Sequence, residues 1–178
     1  MNRRLAQGTQ ASATDAAQRP ADAVIALGAN LGDRAQTFAS AMADLERLPL
    51  SRVAGMAEPI ESVAVTLSGV DATAPTYLNT VAVLRTRLAP TVLLGYLHAI
   101  EARHGRERVE RWGDRTLDLD LIAYGDVRCD TPTLTLPHPR AAERTFVLEP
   151  WLRIDPDAVL PGVGPVAEAL ARLREESA

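Results

Sequence analysis

The chain predicts an α+β fold, a ferredoxin-like βαββαβ sandwich with an antiparallel sheet, both helices on one face, and extra C-terminal elements. Three observations lead there. Short β-branched runs alternate with two stretches of helical spacing in the order β, α, β, β, α, β. The length of 178 residues with 47% hydrophobic content suits one domain with a sizeable core. The 22 residues before the first apolar run are rich in Ala, Gln, Thr and Ser, which predicts a flexible tail over 1–22 and a single domain over 23–178.

Each element has its own warrant. "AVIAL", 23–27, is an apolar run closed by Gly28 and reads as the first strand. Asp33 is placed to cap a helix in which Phe38, Met42 and Leu45 recur at helical spacing until Pro49. "EPIESVAV", 58–65, suggests the second strand, and "TLSGVDATAP", 66–75, a loop of turn formers. "YLNTVAVLRT", 77–86, is a β-branched strand. "APTVLLGYLHAIEARHG" follows as a helix, with Pro90 near its first position and Gly105 at its end. The charged segment 106–115 is a loop, "TLDLDLIAY", 116–124, is the last core strand, and an irregular tail precedes a final helix near 165–175.

Composition excludes several classes. The net charge of −4 gives no field for nucleic acid or an anionic membrane, so neither is an expected partner. No apolar stretch approaches the roughly 18 residues of a membrane span. All 19 basic residues are Arg, which rules out a phosphate-binding lysine and leaves guanidinium forks for any anion. The lone Cys129 has no internal disulfide partner and suits a reducing cytoplasm. No secretory leader is evident in 1–22.

The most informative segment is "RWGDRTLDLDLIAYG", 111–125. Side chains alternate along a strand, so Leu117, Leu119 and Leu121 share the core side while Asp118 and Asp120 share the other. Their Cα atoms start about 6.6 Å apart, near enough for the carboxylates to converge on one cation or a close pair. Hard oxygens favour Mg²⁺, which takes one or two carboxylates plus phosphate oxygens. Ion pairing of both acids with arginines on a solvated face is the competing reading. Arg106, Arg108, Arg111 and Arg115 precede the strand, nearly balanced by Glu107, Glu110 and Asp114, with Trp112 beside Gly113. An arginine fork binds two phosphate oxygens at once, and a lid carrying Arg and Trp fits the segment.

These blocks, "ALGANLGDR", "YLNTV", "IEARHGRERVERWGDRTLDLDLIAYG" and "LTLPHPRAAERTFVLEPW", resemble the 6-hydroxymethyl-7,8-dihydropterin pyrophosphokinase family from about Ala23 to Asp157. The resemblance implies a folate-pathway enzyme that transfers the β,γ-pyrophosphoryl unit of ATP to 6-hydroxymethyl-7,8-dihydropterin and releases AMP. It implies that Asp118 and Asp120 hold two Mg²⁺ ions, that Arg106 and Arg115 contact phosphates, and that His138, Arg144 and His98 stand on the nucleotide side. Asn79 would read the pterin edge, Tyr77 and Phe146 would sandwich the ring, Trp112 would close over it, and the backbone of Ser62, Val63, Ala64 and Val65 would line the pocket. Glu101 would orient an arginine or stand as a solvated helix charge. A cytoplasmic monomer is expected. The chain departs from the family in Asp114, where Pro or a small residue is usual, in the proline-poor "SVAV" segment, and in His98, where an amide is frequent. Two other classes compete: an RNA-binding module of the same fold, disfavoured by 4% aromatics and negative charge, and an Mg²⁺ nuclease using the same aspartates.

Overall fold

The computed structural model describes residues 19–62, 64–66, 69–71, 76–105 and 116–176. Its centre is β1, Ala21–Ala29, which pairs antiparallel on both sides, with β6, Tyr77–Thr86, and with β7, Asp118–Tyr124. β2, Ser51–Met56, adds to the far side of β6, giving the order β2-β6-β1-β7. Helix α1, Arg34–Glu46, links β1 to β2 and α2, Pro90–Arg103, links β6 to β7, so the split βαβ arrangement holds.

Both helices begin and end as their sequences dictate. The Asp33 side chain accepts from the Gln36 amide at 2.9 Å, and Pro90 opens α2 where no amide donor is needed. Phe38, Ala41 and Leu45 of α1 and Leu93, Leu97 and Ile100 of α2 bury against Ile25, Leu27, Leu84, Leu119 and Leu121.

The second strand lies earlier than expected. It occupies 51–56, whereas Pro59, which has no amide to donate, separates it from a short β3, Ile60–Ser62. Both pair with the long β6: Met56 lies opposite Ala82, and Ile60 opposite Asn79. The remainder of "EPIESVAV" leaves the sheet as β4, Ala64–Thr66, a hairpin with β5, Gly69–Asp71, inside the segment expected to be a loop. β1 runs on through Gly28 instead of closing there.

The other face of the sheet is covered too. After hairpins β8, Cys129–Asp130, with β9, Thr135–Leu136, the chain makes a single 3₁₀ turn at Ala141–Glu143 and then helix α3, Thr145–Ile154. A second small hairpin, β10, Val159–Leu160, with β11, Gly164–Pro165, leads into α4, Val166–Glu176. Val147, Leu148, Trp151, Val166, Ala169 and Leu170 pack onto Val24, Val81 and Ile122. Sequence reading expects α4 but an irregular tail where α3 stands, because Pro150 lies inside that helix. A mid-helix proline costs about 3 kcal/mol, and each large side chain buried returns about 1.5–3 kcal/mol, so the burial of Val147, Leu148 and Trp151 outweighs it. No helix among the described residues is long and apolar enough to cross a membrane.

Candidate functional site

Strand alternation decides what reaches the site. On β7 the leucines go to the α1/α2 core: Leu117, Leu119 and Leu121 are at most 3% exposed. Asp118 and Asp120 therefore share the opposite face with Ile122, and both are partly exposed. On β6 Asn79 and Tyr77 share the parity of Val81, and on β1 Gly28 shares that of Val24. Register sets them in a row. Asn79 lies opposite Gly28, and Gly28 lies opposite Asp118, with Asp120 opposite Ala26 one step along.

The row has a glycine for its floor. A Cβ on Gly28 would lie 3.3 Å from Asn79 Oδ1, so the middle of the row stays low between an amide and a carboxylate. Asn79 is buried, and its Nδ2 donates to the Ser62 hydroxyl at 2.7 Å. Ser62, expected to contribute backbone groups, thus also contributes its side chain, which fixes the orientation of the amide. β3 is held in place from α1: Arg34 donates to Glu61 at 2.9 Å and to the Thr76 carbonyl at 2.8 Å, gripping the residues just before Ser62 and Tyr77.

The C-terminal segment supplies the opposite wall. The His138 amide donates to the Ile122 carbonyl at 2.8 Å, which ties the 137–140 segment to β7. Arg144 Nη1 donates to Asp120 Oδ2 at 2.7 Å, and its guanidinium lies 5.8 Å from the centre of the Phe146 ring. The same Asp120 oxygen lies 3.9 Å from His138 Nε2. The Arg140 amide donates to His138 Nδ1 at 3.2 Å, which leaves Nε2 to carry the ring proton and face Asp120. Burial holds the His138 pKa below its ordinary value; Asp120 pulls it up, Arg144 and Arg140 push it down, and Asp118 pulls it up again. The ring is therefore a neutral donor near pH 7. Beyond His138 an open groove of about 600 Å³ runs between the two small hairpins, lined among others by Arg128, Thr135, Leu136 and Pro161.

Asp118, Asp120, His138, Arg144, Phe146, Asn79, Tyr77 and Ser62 thus meet on one face. His98 does not join them directly: it is exposed on α2, the layer across the sheet. Ala64 and Val65 lie in β4. Val63 and the loop with Arg106, Trp112 and Arg115 lie outside the described residues. Sequence reasoning missed one participant, Gly28, and left the role of another, Glu101, open. Gly28 signalled itself as a glycine inside a strand run. Glu101 is 1% exposed, and its Oε1 accepts from the Leu119 amide at 2.9 Å, so it is not a solvated helix charge.

Known proteins align with the same region. Residues 24–156 match the family model of 7,8-dihydro-6-hydroxymethylpterin-pyrophosphokinase. The chain is 41% identical over 153 residues to a 2-amino-4-hydroxy-6-hydroxymethyldihydropteridine pyrophosphokinase of Synechocystis, covering 86% of this chain and 76% of that protein. The protein of the same description from Pseudomonas aeruginosa is 40% identical over 147 residues, covering 83% and 88%. Among solved structures, Plasmodium falciparum HPPK-DHPS superposes with a TM-score of 0.67 at 12% identity, over 89% of this chain and 47% of that one. That likeness concerns the fold alone.

Proposed function

The chain belongs to the 7,8-dihydro-6-hydroxymethylpterin-pyrophosphokinase family, and from that premise we propose that the face bearing Asp118, Asp120 and Asn79 is where it transfers pyrophosphate from ATP to 6-hydroxymethyl-7,8-dihydropterin. One observation carries this assignment of the site: register puts a buried amide, a glycine and a carboxylate in one row, with a second carboxylate beside it. An amide suits the donor and acceptor edge of a pterin, and the carboxylates suit the cation of a nucleoside triphosphate.

The donor set fits two Mg²⁺ ions held by Asp118 and Asp120. Among the described residues no three His, Cys, Asp or Glu side chains gather to cage an ion, and Mg²⁺ is the cation that makes up such a shortfall with phosphate oxygens and water. Such ions supply charge neutralisation for the triphosphate and acidify a coordinated hydroxyl. The protein's own groups do the rest. Arg144 offers a guanidinium fork to phosphate oxygens, and neutral His138 offers the Nε2 hydrogen without adding charge. Phe146 and Tyr77 supply aromatic faces for the pterin ring, and Asn79, held by Ser62, sets its orientation. Arg106 and Arg115 are assigned to phosphates, Trp112 to the pterin, Val63 to Val65 to its pocket lining and His98 to the nucleotide side, on the family pattern. Among the described residues no side chain stands out as a general base, and catalysis is assigned to alignment and charge stabilisation.

We take the unit of function to be one chain, with a single domain from the first strand onward. The unpaired thiol of Cys129 and the use of ATP fit the cytoplasm. The test is incubation of purified protein with MgATP and 6-hydroxymethyl-7,8-dihydropterin, following AMP by chromatography. AMP that appears only with the pterin supports the reading; AMP no higher than in the pterin-free control overturns it. Absence of nucleic-acid cleavage separates it from the nuclease alternative.

A further inference from the structure

Among the described residues β7 is the last strand of the sheet, and its two aspartates must keep a fixed separation with no described strand on the outer side of their backbone. An edge strand without partners is free to twist or to shift, and such a movement would turn alternate side chains away from their shared face. The residue between the aspartates is Leu119, whose amide proton is taken by Glu101 Oε1 at 2.9 Å. Glu101 comes from α2 on the other side of the sheet and is 1% exposed, and its helix neighbours Leu97 and Ile100 belong to the same core cluster as Leu119.

A buried carboxyl in an apolar layer is costly to keep unless it performs a definite task. Holding the Leu119 amide between the two aspartates is such a task. Leu119 is fixed twice, by its side chain in the core and by its amide on Glu101, and the Cα atoms on either side inherit that constraint.

We propose that Glu101 is a positioning residue for the pyrophosphoryl transfer: it pins the Asp118-Leu119-Asp120 backbone so that both carboxylates present to the same ions. The inference rests on the assignment of Asp118 and Asp120 as Mg²⁺ ligands given above. Glu101 acts at one remove, through the main chain, in the way that residues behind a metal site orient its ligands, where substitution typically weakens metal affinity roughly 10- to 100-fold.

The experiment uses the full chain in three forms: native, Glu101→Ala and Glu101→Gln. Glutamine retains a carbonyl oxygen for the Leu119 amide, and alanine retains none. Calorimetry of Mg²⁺ with a nonhydrolysable ATP analogue gives the ion dependence without turnover, pterin binding by fluorescence gives a control, and NMR hydrogen exchange reads the Leu119 amide. Glu101→Ala is expected to weaken Mg²⁺-dependent nucleotide binding roughly 10- to 100-fold and to speed Leu119 exchange at least tenfold, with pterin affinity within about twofold of native. Glu101→Gln is expected to restore both to within about threefold. Native Mg²⁺ dependence in Glu101→Ala overturns the proposal, as does a loss that glutamine fails to recover or one shared equally by pterin binding. Should Glu101→Ala fail to fold, Glu101→Gln decides, because near-native Leu119 exchange and Mg²⁺ dependence are required of it. Asp118→Asn in the same titration separates the two readings: native ion dependence there removes the metal assignment, while a changed Asp118 variant beside an unchanged Glu101→Ala removes the positioning role alone.

Discussion

Two ends of one sheet face, built by the same three strands, do opposite work. At one end β1, β6 and β7 present Val24, Val81 and Ile122, covered by α3 and α4. At the other, the same strands on the same face present Gly28, Asn79 and Asp118. Alternation never breaks between them on β1 and β6, since Gly28 is four residues from Val24 and Asn79 two from Val81. The backbone scaffold is indifferent to which chemistry it displays. What separates core from site is where the C-terminal helices stop covering, and which side chains then stand in the gap.

The sharpest way to break that contrast is to remove acid from the uncovered end. Asp118→Ala and Asp120→Ala are each expected to lower turnover by on the order of 10³-fold while melting within a few degrees of native, because neither side chain is part of the apolar cover. A variant near the native rate at saturating Mg²⁺ would remove the site assignment. Next in size is Asn79→Ala. It deletes the buried donor to Ser62, and steady-state kinetics should show the pterin KM rising about 10- to 100-fold, as for a buried hydrogen-bonding group left without its partner, with the KM for ATP little changed.

The boundary between the ends is tested by His138. Burial holds its pKa below 6.5, so on acidification the unfolded chain takes up the proton before the folded one. Stability therefore falls as pH drops from about 6.5 toward the folded pKa, and is fully retained only above about 6.5. Melting of the metal-free protein against His138→Gln between pH 5 and 8 should show the native protein losing ground only at the acid end; parallel curves would show that His138 takes no burial penalty. The smallest effect is expected from Arg34→Ala. Its pair with the exposed Glu61 is worth at most about 1 kcal/mol, so a rise of a few-fold in the pterin KM, through a looser β3, is the expected outcome.

Much of this contrast is legible before any coordinates. Two aspartates inside a leucine run announce a strand with two unlike faces, and Asp33, Pro90 and Gly105 mark helix ends that the fold respects. The partners of those aspartates are another matter. That Asn79 and Gly28 stand in line with Asp118 is a property of strand register across 90 residues of chain, which local patterning does not encode. β2 was hard to see because it is an edge strand with only half-buried alternate positions and a bulge near Gly55. Pro150 hides α3, and nothing in the local pattern decides between a buried Glu101 and one that faces water.

The cover over Val24 joins distant parts of the chain. Val24 lies in the first strand, whereas Val166, Ala169 and Leu170, in the same cluster, lie in the final helix. During synthesis the ribosome must deliver residues 166–170 before β1 can be shielded on both sides. Until then a growing chain carries an apolar sheet surface open to chaperones, so this face of the sheet closes only after about 140 further residues have followed Val24.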